Sequence, residues 1–169
     1  MPGEIWIIDT SAIAEIRRKI PVERRKAVFD ELSQRVAAGT LTFPRQVLDE
    51  FERPRFKQAY DHGWEWLKRH VEHCRAHEPL HEYLRQAFLE PQVRRVLDPD
   101  KDHEEADPYV LALALKLRDS GNEVGVITED AVSRPSKLSL KDACGLLRIV
   151  SISVQPYLEQ QGIWLRVKH

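Results

Sequence analysis

The clearest fold signal in this chain is Glu4-Ile5-Trp6-Ile7-Ile8-Asp9-Thr10-Ser11, in which a short apolar run ends on a carboxylate. The run predicts a buried strand over Glu4 to Asp9, and Thr10-Ser11 favours a helix that starts directly after it. A buried parallel strand carries the residue that follows it to the carboxyl edge of a sheet, where open α/β folds place their ligand crevices. We therefore expect an α/β fold with Asp9 at such an edge.

Predicted strands and helices alternate along the rest of the chain. Further strands are predicted over Leu41 to Phe43, Val124 to Thr128 and Leu147 to Val154, and helices after Thr10, from Val22 to Ala38, from Arg45, and from Asp107 to just before Gly121. Such alternation implies right-handed βαβ crossovers and a mostly parallel sheet with helices on both faces. The segment from Gly162 to Val167 is expected to add a short edge strand or to pack as a tail.

The middle of the chain departs from this alternation. Residues from about 56 to 97 are predicted to form an enlarged helical segment, interrupted around Gly63, Glu78-Pro79 and Glu90-Pro91. The 169 residues suit a single domain over 1–169.

The composition is that of a globular protein and excludes a wholly disordered chain, with 42% hydrophobic and 31% charged residues. The longest apolar runs, such as Val110 to Leu115, are far shorter than a membrane span, and no signal-peptide pattern is present. We expect a cytoplasmic protein without a membrane partner. Cys74 and Cys144 lack metal-binding spacing and are expected to be reduced, partly buried thiols.

Four acids stand at the ends of separate predicted elements and are candidate metal ligands and catalytic residues: Asp9, Glu50, Asp107 and Asp130. Carboxylates gathered at one sheet edge would repel one another unless a hard cation neutralised them. Oxygen ligands of this kind select Mg²⁺ or Mn²⁺ rather than zinc or copper. The pattern therefore predicts a Mg²⁺ or Mn²⁺ site.

Each acid also has a simpler explanation. Asp9 and Asp107 suit helix N-caps, the latter before Pro108, and Asp130 suits a turn. Glu50 could be a surface carboxylate, with Asp49 or Glu52 as competing ligands. The simpler explanation is the stronger one for each acid alone, whereas the four together, in this order, favour the metal site.

Basic residues flank the first two acidic motifs. The net charge of −1 gives no global attraction to nucleic acid, so any RNA contact must use local patches. The candidates are Arg17, Arg18, Arg45 and Arg53. An ordinary helix surface balanced by nearby acids is the alternative for each of them.

The acidic motifs resemble those of the PIN domain. They are Ile8-Asp9-Thr10-Ser11-Ala12-Ile13, Val47-Leu48-Asp49-Glu50-Phe51, Ala106-Asp107-Pro108-Tyr109-Val110-Leu111-Ala112-Leu113-Ala114 and Val126-Ile127-Thr128-Glu129-Asp130. The similarity runs from about residue 4 to about residue 158 and is closest to stand-alone VapC-type toxins of toxin–antitoxin pairs. Ser139-Leu140-Lys141-Asp142-Ala143-Cys144 is similar to a segment of a longer branch of these proteins.

The resemblance implies a PIN-like three-layer α/β/α fold and a metal-dependent ribonuclease. Asp9, Asp107 and Asp130 would hold one or two Mg²⁺ or Mn²⁺ ions, and Glu50 would reach a second ion or orient the attacking water. Glu129 is an alternative to Asp130. Ser11 and Thr128 would hydrogen-bond the carboxylates. RNA, a small cognate antitoxin and a second copy of the chain are the implied partners.

Two features depart from the family pattern, and two other functions remain open. The segment over 56–97 is longer than in compact toxins, and Glu129 beside Asp130 leaves the fourth ligand ambiguous. One alternative is a non-catalytic PIN-fold module that binds RNA or protein. The other is a haloacid-dehalogenase-like phosphatase with Asp9 as nucleophile. That pattern requires a second Asp where this chain has Ser11.

Overall fold

The central sheet is parallel in all of its described part. A computed structural model describes residues 3–53, 62–98, 100 and 105–164. Within these residues the strands are β1 Glu4–Ile8, β2 Leu41–Thr42, β3 Glu123–Ile127 and β4 Val150–Ile152. They pair in the order β2-β1-β3-β4, and each neighbouring pair is parallel. The predicted α/β fold with a mostly parallel sheet is confirmed.

Helices cover the sheet. They are α1 Thr10–Lys19, α2 Val22–Ala37, α3 Arg45–Phe51, α4 His62–Cys74, α5 His81–Phe88, α6 Asp107–Asp119, α7 Leu140–Leu146 and α8 Val154–Gln160. Helix α1 packs with α2, α3 and α8, whereas α6 packs on β1 and β3 and against α5 and α7. The arrangement agrees with the predicted three-layer α/β/α architecture. No helix in the described residues has both the length and the apolar character needed to cross a membrane.

The enlarged middle segment is helical over its described residues, while residues 56–61 lie outside them. Helix α4, a 3-10 turn at Arg75–His77, α5 and a 3-10 helix at Pro91–Val96 follow one another, with a cis bond at Glu78-Pro79. Helix α4 begins at His62, one residue before Gly63, and residues 54–61 lie outside the described residues, so the predicted interruption around Gly63 stays a prediction.

The last predicted strand is shorter than expected. The apolar pattern from Leu147 to Val154 favoured a strand throughout, but β4 ends at Ile152 and α8 begins at Val154. The Glu129 carboxylate accepts a hydrogen bond from the Val154 backbone N–H at 2.8 Å and so satisfies a donor at the start of α8. Residues 163–164 are helical rather than an edge strand, and 165–167 lie outside the described residues.

Close packing between β1 and β3 fixes the register of the two central strands. Trp6 is paired with Gly125 and meets Tyr157 edge-on, with ring centroids 5.7 Å apart. A Cβ atom on Gly125 would lie 2.2 Å from the indole ring of Trp6, so only glycine leaves room for it. This packing determines where the residues after β1 and β3 lie.

The strand order creates a switch point between β1 and β3. The chain passes from β1 to its neighbour β2 on one side and later crosses to β3 on the other side. Connections that leave adjacent parallel strands in opposite directions open a crevice at the carboxyl ends of those strands. Asp9 follows β1 and Thr128 follows β3, so both border this opening.

Candidate metal centre

A crevice of about 450 Å³ lies at the carboxyl ends of β1 and β3. All four candidate acids line it, and they come from separate parts of the fold. Asp9 follows β1, Glu50 belongs to α3, Asp107 is the first residue of α6, and Asp130 lies in the loop between β3 and α7. The structure therefore brings together four carboxylates that are distant in sequence.

Asp9 is both the N-cap of α1 and a wall of the crevice. Its Oδ1 accepts hydrogen bonds from the Ala12 N–H at 3.0 Å and the Ser11 hydroxyl at 2.7 Å, and its Oδ2 accepts one from the Thr128 hydroxyl at 2.8 Å. The residue is only 3% exposed. Burial, and then the charge of Asp107, raise the pKa of Asp9 to about 7, although the three hydrogen bonds oppose this shift.

Ser11 and Thr128 connect Asp9 to the end of β3, and the predicted hydrogen bonds from their hydroxyls to a carboxylate are present. The Ser11 and Thr128 hydroxyl oxygens are 3.3 Å apart. The backbone N–H of Glu129 donates to Ser11 Oγ, and that of Asp130 donates to Thr128 Oγ1, each at 3.0 Å. The two hydroxyls thus hold the Asp9 carboxylate and the turn that carries Asp130 in one hydrogen-bonded unit.

Asp107 does not cap its helix. Ala106 occupies the N-cap position of α6, and no side chain caps this helix. The Asp107 carboxylate instead turns into the crevice, where its Oδ2 accepts a hydrogen bond from Lys137 Nζ at 3.0 Å. Burial raises the pKa of Asp107 to about 6; Lys137 opposes the shift, and Glu50 and Asp130 add to it. The capping explanation for this residue is therefore wrong.

Glu50 is the acid of its turn that reaches the crevice. Its Oε2 accepts a hydrogen bond from the Ala106 N–H at 3.0 Å, which ties α3 to the start of α6. The neighbouring Asp49 instead pairs with Arg45 at 3.1 Å. Neither Asp49 nor Glu52 is among the described residues that line the crevice.

Asp130 and Glu129 both line the crevice but bond to different helices. Asp130 Oδ2 accepts a hydrogen bond from the Leu140 N–H at 2.9 Å and lies 3.7 Å from Lys137 Nζ, with a third of the side chain exposed. Glu129 uses Oε1 to accept from the first N–H of α8. Asp130 shares the Lys137 ammonium with Asp107, which makes it the better placed of the two acids to act with Asp107.

Sequence reasoning placed no cationic residue in the metal site. Lys137 and Arg134, both in the loop between β3 and α7, are the basic residues among its described lining, and Glu105 and Glu15 also line it. The pKa of Lys137 is raised, because Asp107 and Asp130 outweigh the opposing effect of burial. A lone lysine in a loop has no periodicity or motif that could have identified it.

The four predicted RNA-binding arginines do not line the crevice in the described structure. Arg18 pairs with Glu15 at 3.4 Å, and Arg45 pairs with Asp49 and with Glu78. Arg17 is in the last turn of α1, and Arg53 follows α3. They belong to the surrounding surface.

The donor set fits a hard divalent cation. All the candidate ligands are carboxylates, and in the described part of the chain the hydrogen bonds to Asp9 come from neutral groups only. The raised pKa values of Asp9 and Asp107 show that their negative charges are poorly compensated. No group of three or more His, Cys, Asp or Glu in the described residues is already close enough to hold a metal ion. Binding would therefore require the acids to close around the cation.

Together these features define an α/β protein with a carboxylate-rich crevice at the switch point of a parallel sheet. The chain belongs to the family described as Domain of unknown function (DUF4411), which matches residues 6–165. The match spans all four acids and Lys137. No curated protein and no solved structure matches the chain.

Proposed function

We propose that this protein is a PIN-like ribonuclease that hydrolyses RNA phosphodiester bonds with Mg²⁺ or Mn²⁺. The observation that carries the proposal is the convergence of Asp9, Glu50, Asp107 and Asp130 in one crevice. A helix cap or a turn would explain one such acid at a time. Neither explains why Asp9 and Asp107 line one crevice, in which the charge of Asp107 raises the pKa of Asp9.

The ligands of the cation would be Asp9, Asp107 and Asp130, with Glu50 at a second ion or at the attacking water. A bound Mg²⁺ or Mn²⁺ would lower the pKa of a water and neutralise charge on the transition state. Glu50 is held through one oxygen by the Ala106 N–H, which leaves its other oxygen to orient the water. Ser11 and Thr128 keep Asp9 in its orientation.

The basic groups of the loop between β3 and α7 would bind the RNA backbone. Arg134 is exposed at the crevice, and its guanidinium suits bidentate recognition of a phosphate. Arg17, Arg18, Arg45 and Arg53 lie outside the crevice and would extend the contact to neighbouring phosphates. Such contacts supply affinity and position rather than sequence choice.

The toxin role is the finer part of the proposal. In a toxin–antitoxin pair, a small antitoxin would cover the acidic crevice and block the RNA, and the chain would form a homodimer in the cytoplasm. Support for this part is the motif resemblance alone. Copurification of a short partner that suppresses the nuclease would test it.

The ribonuclease activity is tested with metal-stripped protein and a labelled single-stranded RNA. We expect cleavage only after Mg²⁺ or Mn²⁺ is added, loss of cleavage with EDTA, and products with a 5′-phosphate and a 3′-hydroxyl. Asp9→Asn should abolish cleavage. Asp30→Asn is the matched control and should retain it, because Asp30 is an exposed α2 residue paired with Lys26.

Three outcomes would contradict this proposal. Cleavage that survives EDTA and the Asp9→Asn change would show that the crevice is not the site. Metal binding without RNA cleavage would favour the non-catalytic PIN-fold module. Release of inorganic phosphate from a phosphomonoester, with RNA left intact, would favour the phosphatase.

A further inference from the structure

We propose that Lys137 is a built-in competitor of the divalent cation, whose ammonium group neutralises Asp107 and Asp130 until the cation displaces it. This inference rests on the proposed metal site and adds to it the element that sets cation affinity. The Lys137 Nζ atom lies 3.0 Å from Asp107 Oδ2 and 3.7 Å from Asp130 Oδ2. Lysine thus stands between two acids that the proposed function assigns to the cation.

The contact is buried enough to matter. The side chains of Lys137 and Asp107 are 11% and 14% exposed, so solvent screens their attraction much less than that of a surface ion pair. Exposed pairs such as Lys26 with Asp30 differ in this respect. Neutralisation by Lys137 is therefore a substantial part of what allows Asp107 to ionise in the crevice.

The backbone around Lys137 is held so that the side chain enters the crevice. Arg134 and Lys137 exchange backbone hydrogen bonds of 2.8 and 3.1 Å, which closes a tight turn. The Leu138 N–H donates to the Arg95 carbonyl at 2.6 Å, and the Ser139 N–H donates to Ser133 Oγ at 2.9 Å. These bonds anchor both sides of Lys137, so only the flexible stem of its side chain needs to move when the ammonium leaves.

An ammonium group and a divalent cation compete for the same lone pairs. Asp107 Oδ2 is bonded to Lys137, and Asp130 Oδ2 already accepts from the Leu140 N–H. A cation that occupies the position of the ammonium, between Asp107 and Asp130, must displace it, because two positive charges so close together would repel strongly. Lysine suits this exchange, since its charge is compact and its stem has several rotatable bonds. Asp9 has no such competitor among the described residues.

The test is a Mn²⁺ titration of metal-stripped protein by calorimetry at about pH 8. Lys137→Met should lower the Kd for Mn²⁺ by about tenfold or more, because the binding free energy no longer includes displacement of the ammonium. Lys141→Met is the matched control, since it removes one positive charge from an exposed lysine in the first turn of α7 that does not line the crevice in the described structure. Its Kd should change by no more than about twofold, because exposed charges are screened.

The melting temperature shows whether a change in Mn²⁺ binding by a Lys137 variant results from a folding defect. Without metal, Lys137→Met should melt below wild type, because Asp107 loses its cation, and saturating Mn²⁺ should raise its melting temperature by more than it raises that of wild type. Lys137→Gln keeps a hydrogen-bond donor without the charge and serves where the Met variant does not fold. It should also bind Mn²⁺ more tightly than wild type.

The outcomes separate this inference from the proposed function. Unchanged or weaker Mn²⁺ binding by both Lys137 variants, with normal binding by wild type, would overturn the competitor role and leave the metal site intact. Equal tightening in Lys141→Met would also overturn it, because long-range charge would then suffice. Failure of wild type and of every Lys137 variant to bind Mn²⁺ would overturn the metal site itself.

Discussion

The two sides of the acidic crevice hold their carboxylates in different ways. On the side of β1, Asp9 is buried and bonded only to neutral donors in the described structure, namely a helix N–H and two hydroxyls. On the side of Lys137, by contrast, Asp107 and Asp130 share the ammonium of that lysine. The first side is rigid but electrostatically strained, whereas the second has its charge partly compensated.

The comparison shows that holding a carboxylate in position and neutralising its charge are done by different groups. Hydrogen bonds from backbone and hydroxyl groups fix where the Asp9 oxygens lie, yet they do not offset the cost of burying its charge next to Asp107. The lysine does offset part of that cost for Asp107, because its positive charge opposes the rise in the pKa of this carboxyl group. The proposed cation site can therefore fold before the cation binds.

The largest expected effect on stability concerns the side of β1. Gly125→Ala would place a Cβ atom 2.2 Å from the Trp6 ring, so either β1 or the indole must shift. We expect a loss on the order of 3 kcal/mol in the free energy of unfolding, measured by urea denaturation, because overpacking a buried strand pair is costly. Displacement of β1 should also weaken Mn²⁺ binding through Asp9.

A second glycine provides the control for this substitution. Gly145 lies in α7, and a Cβ built on it would meet no atom from elsewhere in the described structure within 4 Å. Gly145→Ala should leave stability unchanged or raise it by about 0.5 to 1 kcal/mol, since alanine favours helix. Equal destabilisation by both changes would show that the contact between Trp6 and Gly125 does not hold the two strands in register.

The next largest effect tests the strain at Asp9. Asp9→Asn keeps an oxygen to accept the hydrogen bonds from Ala12 and Ser11 but removes the charge. In metal-free protein at about pH 8 we expect the variant to be more stable than wild type by on the order of 2 kcal/mol. Chemical denaturation of both proteins with EDTA present measures this difference.

The stability difference between Asp9→Asn and wild type should depend on pH. The pKa of Asp9 is about 7 in the folded protein against an ordinary 3.8, so between these values the folded state binds the proton more strongly than the unfolded state. Wild type therefore loses stability as the pH rises through this window, and the advantage of Asp9→Asn should disappear near pH 4. A constant difference at all pH values would show that the carboxylate charge is not its cause.

Much of the side of β1, which holds Asp9, could be predicted from the sequence, because it depends on local patterns. An apolar run followed by Asp9-Thr10-Ser11 indicates a strand, a cap and a helix within a few residues, and each of them forms. The acids Glu50, Asp107 and Asp130 could be located for the same reason, since each stands next to a recognisable helix or strand. Parallel pairing then brings them to one edge.

The side of Lys137 could not be predicted, because it depends on contacts between residues that are distant in sequence. Lys137 reaches Asp107 across 30 positions of sequence, and nothing periodic marks it. The start of α8 was missed for a similar reason, since Glu129 supplies its first acceptor from 25 residues away. Arg17, Arg18, Arg45 and Arg53 stand near the acids in sequence but do not line the crevice in the described structure.

The smallest expected effect on stability concerns Asp107, on the side of Lys137. Asp107→Asn removes no helix cap, because the carboxylate makes no capping bond. Removing its charge relieves burial, as at Asp9, but also deprives Lys137 of its closest partner. In metal-free protein at about pH 8 we therefore expect a gain in stability of about 1 kcal/mol at most, smaller than that of Asp9→Asn.

A double-mutant cycle shows whether Lys137 causes the difference between the two acids. In a Lys137→Met background the metal-free protein has lost its compensating charge, so Asp107→Asn should stabilise it more than it stabilises wild type, by about 1 to 3 kcal/mol. Asp9→Asn should show a smaller coupling to Lys137, because the described structure has no contact between these two side chains. If Asp107 and Asp9 couple equally to Lys137, its charge acts on the whole crevice, and the two sides do not differ in the way that the structure indicates.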